Sequence, residues 1–267
     1  MMIPLPVLAT AAFGFGLMVG SFLNVLIWRL PAEEQMVKGR SHCRSCGKMI
    51  AWYDNIPLAS FVALKGRCRS CGKKISWSYP LVELAAGLLF AGTALRFGQS
   101  PLVWAYGTLG AALIALSVID WREMILPDEL TLPGIALGLG LSFVLPELHG
   151  ETSRWAGLRS GFLGAIAGAG TLWVVGKVGK WMFRRDAMGE GDVRLMAAVG
   201  AFIGLWKVLL VNLILAPVAG AVVGLVLKYR YGRDLIPFGP FLALGTFAAI
   251  FWGDAILRWY TGLLGWR

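Results

Sequence analysis

Charge is scarce in this chain. Only 15% of its 267 residues are Asp, Glu, Lys or Arg and 57% are hydrophobic, whereas soluble domains carry roughly 25% charged residues. That deficit, with a strongly positive mean hydropathy, excludes an ordinary soluble globule and leaves a polytopic membrane protein. Acid is scarcer than base, with 15 Asp and Glu against 25 Lys and Arg and a net charge of +10. The excess does not make a nucleic-acid binder. The basic residues lie in short loops between apolar runs, which suits an anionic lipid leaflet better than a phosphate backbone. A basic leading segment and a small-residue cleavage site are missing from Met1 to Leu30. That stretch therefore reads as a retained membrane helix rather than a signal peptide. The chain shows neither an internal repeat nor a low-complexity tail.

Apolar runs are what it has in quantity. About 20 such residues cross a bilayer, and eight candidates occur at 5–28, 80–97, 101–119, 129–146, 155–181, 192–206, 207–228 and 236–258. The run 192–206 is short enough for a half-span. The expected fold is an all-α polytopic integral membrane protein of about eight transmembrane helices, with a small hydrophilic insert between the first and second. That insert, Arg29 to Tyr79, holds ten Lys or Arg against three acids, Glu33, Glu34 and Asp54. Positive residues stay inside, so the insert is expected to be cytoplasmic and both termini outside. The basic loops with Lys177, Lys180, Arg184 and Arg185, and with Lys228, Arg230 and Arg233, then also fall inside, while Pro146 to Arg154 falls outside. Deleting a central span would reverse the later loops. Glycine is abundant, 35 residues, and Gly157, Gly161, Gly164, Gly168 and Gly170 mark a face for close helix contact in the fifth span.

Two pairs, Cys43-x-x-Cys46 and Cys68-x-x-Cys71, each followed by glycine, repeat the string CRSCGK within the insert. Each knuckle points two thiolates at one ion, and two knuckles complete a tetrahedral zinc site. The alternatives are two disulfides or free thiols, and a reducing cytoplasm opposes the first. Four sulfurs leave no open position, so the expected zinc is structural. His42 beside the cluster and His149 in the outer loop read as solvated.

An acid inside an apolar span is costly without a task or a partner. The topology brings Asp120, at the end of the third span, and Asp192, at the start of the sixth, to the same face. Two such carboxylates can share a proton and divide base from acid. The ionised member can take a proton from water while the other donates to a peptide carbonyl, the chemistry of an aspartic protease. Gly189 and Gly191 give backbone freedom and room for a substrate strand. Structural readings stand beside these. Asp192 suits a helix N-terminus, Asp120 could pair with Arg122, and Asp128 could cap a helix or replace Asp120 as partner. Glu83 reads equally as an interfacial acid or as a binding or packing residue. Asp254 reads as structural, and Glu190 as facing water.

The ordered motifs resemble those of the bacterial type IV prepilin peptidases, membrane aspartic proteases of the GxGD kind. They are Gly20-Ser-Phe-Leu-Asn24-Val-Leu-Ile-Trp-Arg29-Leu-Pro31, the cysteine knuckles, Asn55-Ile-Pro57-Leu, Tyr79-Pro-Leu-Val-Glu83-Leu, Ile119-Asp120 with Leu126-Pro-Asp128, Gly189-Glu-Gly-Asp192 and Ile236-Pro-Phe-Gly-Pro240. The resemblance implies Asp120 and Asp192 as catalytic residues, with Gly189, Gly191 and Asp128 in support. It implies cleavage of the leader from prepilins and pseudopilins at the cytoplasmic face of the bacterial inner membrane. It further implies methylation of the new N-terminus with S-adenosylmethionine as methyl donor. The chain then divides into a first helix (1–28), a zinc insert (29–79) and a membrane-embedded peptidase domain (80–267). A proton- or cation-coupled transporter and a scaffold docking through the zinc insert are the rival classes. The first would show ion flux without cleavage, and the second would tolerate loss of the aspartates.

Overall fold

The computed structural model describes residues 3–35, 41–184, 188–232 and 236–263. Of the basic loop residues, Arg185 and Arg233 lie outside them, as do Lys38 and Arg40 of the insert. Among the described residues the secondary structure is helical, with one isolated antiparallel bridge in each cysteine knuckle, His42 to Met49 and Arg67 to Lys74. The helices are α1 (Leu5–Arg29), α2 (Ala59–Ala63), α3 (Ser78–Phe97), α4 (Leu102–Glu123), α5 (Asp128–Val144), α6 (Arg154–Phe183), α7 (Glu190–Leu210), α8 (Ala216–Tyr231) and α9 (Gly239–Leu263). The chain forms two compact units, 1–115 and 116–267, whose boundary falls within α4.

Each expected span falls on a helix, but among the described residues length and hydropathy qualify six helices as membrane-crossing rather than eight. Helix α5 has 17 residues, or ~25 Å at 1.5 Å per residue, a little short of a ~30 Å hydrocarbon core. The other difference is that Glu190–Arg230 runs as one apolar stretch of 41 residues. Straight, it would measure ~60 Å, twice the core. It breaks instead at Gly204, whose φ of 78° and ψ of 177° leave the helical region, and a π-turn, Val211–Leu215, joins α7 to α8.

In the first unit α1 packs along α3 through small residues. A Cβ on Gly20 would lie 2.6 Å from the Glu83 Cα, and the buried Asn24 amide donates to Tyr79 O at 3.1 Å. In the second unit α6 and α7 pack most closely. A Cβ on Gly164 would run into the Gly200 carbonyl, one on Gly168 into the Met196 carbonyl, and those on Gly157 and Gly161 into Ser142. Four of the five expected glycines therefore do form the contact face, at a helical spacing of i, i+4, i+7 and i+11. Gly170 does not, since its Cβ would point into open space.

The break at Gly204 has polar company. The buried Ser142 hydroxyl lies 2.9 Å from Ala201 O and 2.8 Å from His149 Nε2. The His149 Nδ1 is buried and has no hydrogen-bond partner among the described residues. The imidazole thus fills the gap beside Gly204 rather than standing in water, and burial holds its pKa below the ordinary 6.5. Asp254, expected to be structural, is ion-paired with Lys207 at 3.0 Å.

Because α6 and α7 touch backbone to backbone, Gly164→Leu should destabilise the protein by about 3 kcal/mol. That corresponds to a drop of roughly 6–12 °C in the melting temperature in detergent. An unchanged melting curve would contradict the packing.

Candidate functional site

Asp120 stands in the last turn of α4 and is only 6% exposed. Its Oδ2 accepts a hydrogen bond of 2.8 Å from the backbone N–H of Gly239, the first residue of α9. The N-terminal N–H groups of a helix have no partner within it, and they attract negative charge. One helix start therefore serves a carboxylate carried by another helix. Only glycine permits the approach, since a Cβ on residue 239 would come within 2.7 Å of that oxygen.

Asp192 is the third residue of α7. Asp120 acts on it electrostatically, so the structure does bring these two acids together. The Asp192 Oδ1 is buried without a hydrogen-bond partner among the described residues. A buried oxygen left bare costs about 1–3 kcal/mol in desolvation, and such atoms concentrate where a water or a substrate is to be received.

The glycines of the motif work by size. Gly189 has ordinary extended torsions, φ −72° and ψ 144°, so the expected conformational freedom is not what residue 189 supplies. A Cβ there would sit 3.0 Å from Asp192 Oδ2, and one on Gly191 would sit 2.8 Å from the Leu126 Cβ. The missing side chains make space for the carboxylate and for the α4–α5 connection, where a substrate strand was expected.

Asp128 opens α5, but its side chain caps no backbone group. It pairs with Arg194 Nη1 at 2.5 Å, and Arg194 Nη2 reaches Glu190 at 3.0 Å. Arg194 thus ties the start of α5 to the start of α7, and Glu190 is part of that bridge rather than merely facing water. Arg194 and Gly239 are the contributors that the motif reading left without a role. The Gly-Pro step after Pro237 was the available signal for Gly239, because it marks a helix start.

The thiols form the second cluster. The sulfurs of Cys43, Cys46, Cys68 and Cys71 all lie within 4.8 Å of one another, and Cys43 Sγ is 3.9 Å from Cys71 Sγ. A tetrahedron of ~2.3 Å metal–sulfur bonds has sulfur–sulfur edges of ~3.8 Å, so the four thiols fit one ion. The pKa of Cys43 is lowered to about 6, mainly by the Ser45 backbone N–H. For Cys71 the Lys73 N–H pulls downward, but burial and hydrogen bonds to the other thiols push it up to about 11. Cys43 and Cys71 thus hold their protons unequally, whereas a bound cation favours thiolates at all four sulfurs.

Comparison with known proteins places these clusters in a family. Residues 15–97 match the model of the bacterial peptidase A24 N-terminal domain, and residues 107–225 match that of the type IV leader peptidase family. Several relatives bear the name prepilin leader peptidase/N-methyltransferase. The one from Burkholderia pseudomallei is 38% identical over 91% of this chain and 84% of its own length. That from Pseudomonas putida is 37% identical over 96% and 94%, and that from Aeromonas hydrophila 39% over 93% and 92%. The chain belongs to the type IV leader peptidase family. The leader peptidase match encloses Asp120, Asp128 and Gly189 to Asp192, while the N-terminal domain encloses the four cysteines and Glu83. No solved structure matches the chain.

Two substitutions probe the clusters. A methyl group on residue 239 displaces the Asp120 carboxylate, so Gly239→Ala should lower the activity of this leader peptidase family member about 100-fold while the protein still folds. Wild-type rates in the variant would remove Gly239 from the site. With zinc supplied as the probe ion, Cys46→Ser leaves three thiolates and should retain well below one ion per chain where the unaltered chain retains one, read by atomic absorption. Stoichiometric zinc in that variant would contradict the four-sulfur site.

Proposed function

We propose that the chain is a membrane aspartic endopeptidase that removes the leader from type IV prepilins and pseudopilins, with Asp120 and Asp192 as its catalytic pair. It also N-methylates the new terminus, S-adenosylmethionine being the methyl donor and second substrate. The observation that carries this reading is the meeting of two acids from separate helices, one served by a single backbone N–H and the other with a bare buried oxygen.

The pair holds one proton between its two carboxylates. The ionised member takes a proton from a water molecule as the water oxygen attacks the scissile carbonyl carbon. The protonated member donates to the carbonyl oxygen, giving a tetrahedral diol. Collapse of the diol breaks the carbon–nitrogen bond: the leaving amine takes a proton from the carboxyl that received one, a diol hydroxyl returns its proton to the other carboxylate, and the pair again holds one proton. Division of acid from base belongs to the pair. Gly239 holds Asp120, Gly189 and Gly191 leave room around Asp192, and the Asp128–Arg194–Glu190 bridge joins the helix starts that carry the site.

The proposed setting is the bacterial inner membrane, with eight crossing segments, both termini outside and the site at the cytoplasmic face. The break at Gly204 supports counting Glu190–Arg230 as two segments, and the basic insert supports the orientation. In this reading 1–28 is the first span, 29–79 the insert with structural zinc, and 80–267 the membrane-embedded peptidase domain. The zinc lends the insert rigidity and takes no part in cleavage. A transport reading calls for acids along a path, whereas Asp120, Asp128, Glu190 and Asp192 gather at one end of the second unit.

Asp120→Asn and Asp192→Asn should each cut cleavage of a prepilin in detergent by at least ~1,000-fold, while Asp128→Asn loses much less. Loss of a group acting as acid or base costs about 10²–10⁴-fold, and members of a unit fail together. Full cleavage by either folded Asp120 or Asp192 variant would overturn the assignment.

A further inference from the structure

Both knuckles carry an arginine at the same place in CRSCGK, and the two are used differently. Arg44, between Cys43 and Cys46, lays its guanidinium 3.3 Å from the centroid of the Trp28 ring, in the last turn of α1. Arg69, between Cys68 and Cys71, makes a bidentate pair with Asp54 at 2.8 and 2.7 Å. Arg44 therefore ties the first knuckle to a membrane helix, whereas Arg69 ties the second to another part of the insert.

What moors that part is Glu83. From Asp54 the chain passes through Asn55, Ile56 and Pro57 to Leu58, which has φ 59° and ψ −47°. The Ala59 N–H closes on Pro57 O at 2.6 Å, so Pro57 to Ala59 form a γ-turn of the rare hand, strained for a residue with a Cβ. The Leu58 N–H donates to Glu83 Oε2 at 2.9 Å. Glu83 is held on α3 where α1 packs closest, with Gly20 of α1 against its Cα. Beyond the turn, α2 leads toward Cys68. The Ser60 hydroxyl, buried, donates to Tyr53 O at 2.8 Å and accepts from Ile56 N at 3.0 Å, so the loop moves as one piece with Asp54.

We propose that Glu83 is a positioning residue for the four-thiol centre: it holds the strained turn at Leu58 and so keeps the second knuckle in register with the first. Without it Leu58 relaxes to negative φ, the loop carrying Asp54 shifts, and Arg69 draws Cys68 and Cys71 away from Cys43 and Cys46. An ion held by two sulfurs from each knuckle then loses half of its ligands together. The inference rests on the reading of the thiols as a metal site, and its test is metal retention rather than cleavage or methylation.

The full chain in detergent, loaded with zinc, is challenged with excess EDTA, and zinc loss is followed over time. Glu83→Ala should lose zinc about tenfold faster than wild type, the scale for removing an outer support of metal ligands. Glu83→Gln should stay within about twofold, because its amide oxygen accepts the same N–H. Adding Leu58→Gly to Glu83→Ala should restore retention to within about threefold, since glycine takes positive φ without strain. Retention by Glu83→Ala equal to wild type would overturn the proposal. So would Glu83→Gln losing zinc as fast as Glu83→Ala, because the charge and not the turn would then matter. A double variant no better than Glu83→Ala would do the same. A wild-type protein that takes up no zinc overturns the metal reading and this inference with it.

Discussion

A carboxylate inside an apolar helix bundle has to be answered by something, and the choice of answer shapes the second unit. A cation beside Asp120 would compensate its charge permanently and leave it nothing to exchange. The N–H of Gly239 answers one oxygen and, in the proposed mechanism, leaves the carboxyl free to share a proton with Asp192. For that bond to form, the start of α9 must reach the last turn of α4 with no side chain between them. The start of α7 must also lie close enough to press Gly191 on Leu126. Formal charge is kept a step away, in the Arg194 bridge to the half-exposed Asp128 and the exposed Glu190, where ions are cheaper to hold.

The glycine contacts of α6 and α7 serve the same end. Backbone-to-backbone contact through Gly164, Gly168 and Gly200 sets the depth of α7 against its neighbour. It does so where lipid tails provide no hydrophobic force between helices. Asp192, three residues into α7, inherits that position. Farther along, the break at Gly204 ends the stiff segment, and Ser142 with His149 supplies polar groups that a broken helix needs in apolar surroundings.

Some of this was legible beforehand because it is carried by local chemistry. Two CRSCGK strings can only be knuckles of similar shape, and the four sulfurs do converge. Glycines at helical spacing in the fifth span could be read as a contact face, although Gly170 has the wrong phase to join it. Asp120 and Asp192 were matched by topology and by family motif, since both mark helix ends on one face. Other features had no local signature. An arginine after Asp192 looks like a loop charge until Asp128 is found opposite, and an outer-loop histidine looks solvated until a helix breaks beside it. Glu83 gave no hint that its partner is a backbone N–H 25 positions earlier.

By itself the sequence determined the class of the protein: its apolar runs, the basic loops between them, the two thiol knuckles and the acids available for chemistry. These follow from composition and short-range spacing, which act before any fold exists. Only the tertiary structure decided which acid meets which, that Gly239 rather than a cation serves Asp120, and that Gly189 and Gly191 give space rather than flexibility. It also decided that α7 breaks at Gly204 and that the second knuckle hangs from Glu83. The reason is physical: a hydrogen bond or close contact across helices depends on depth and rotation. Packing sets both, and no window of neighbouring residues contains them.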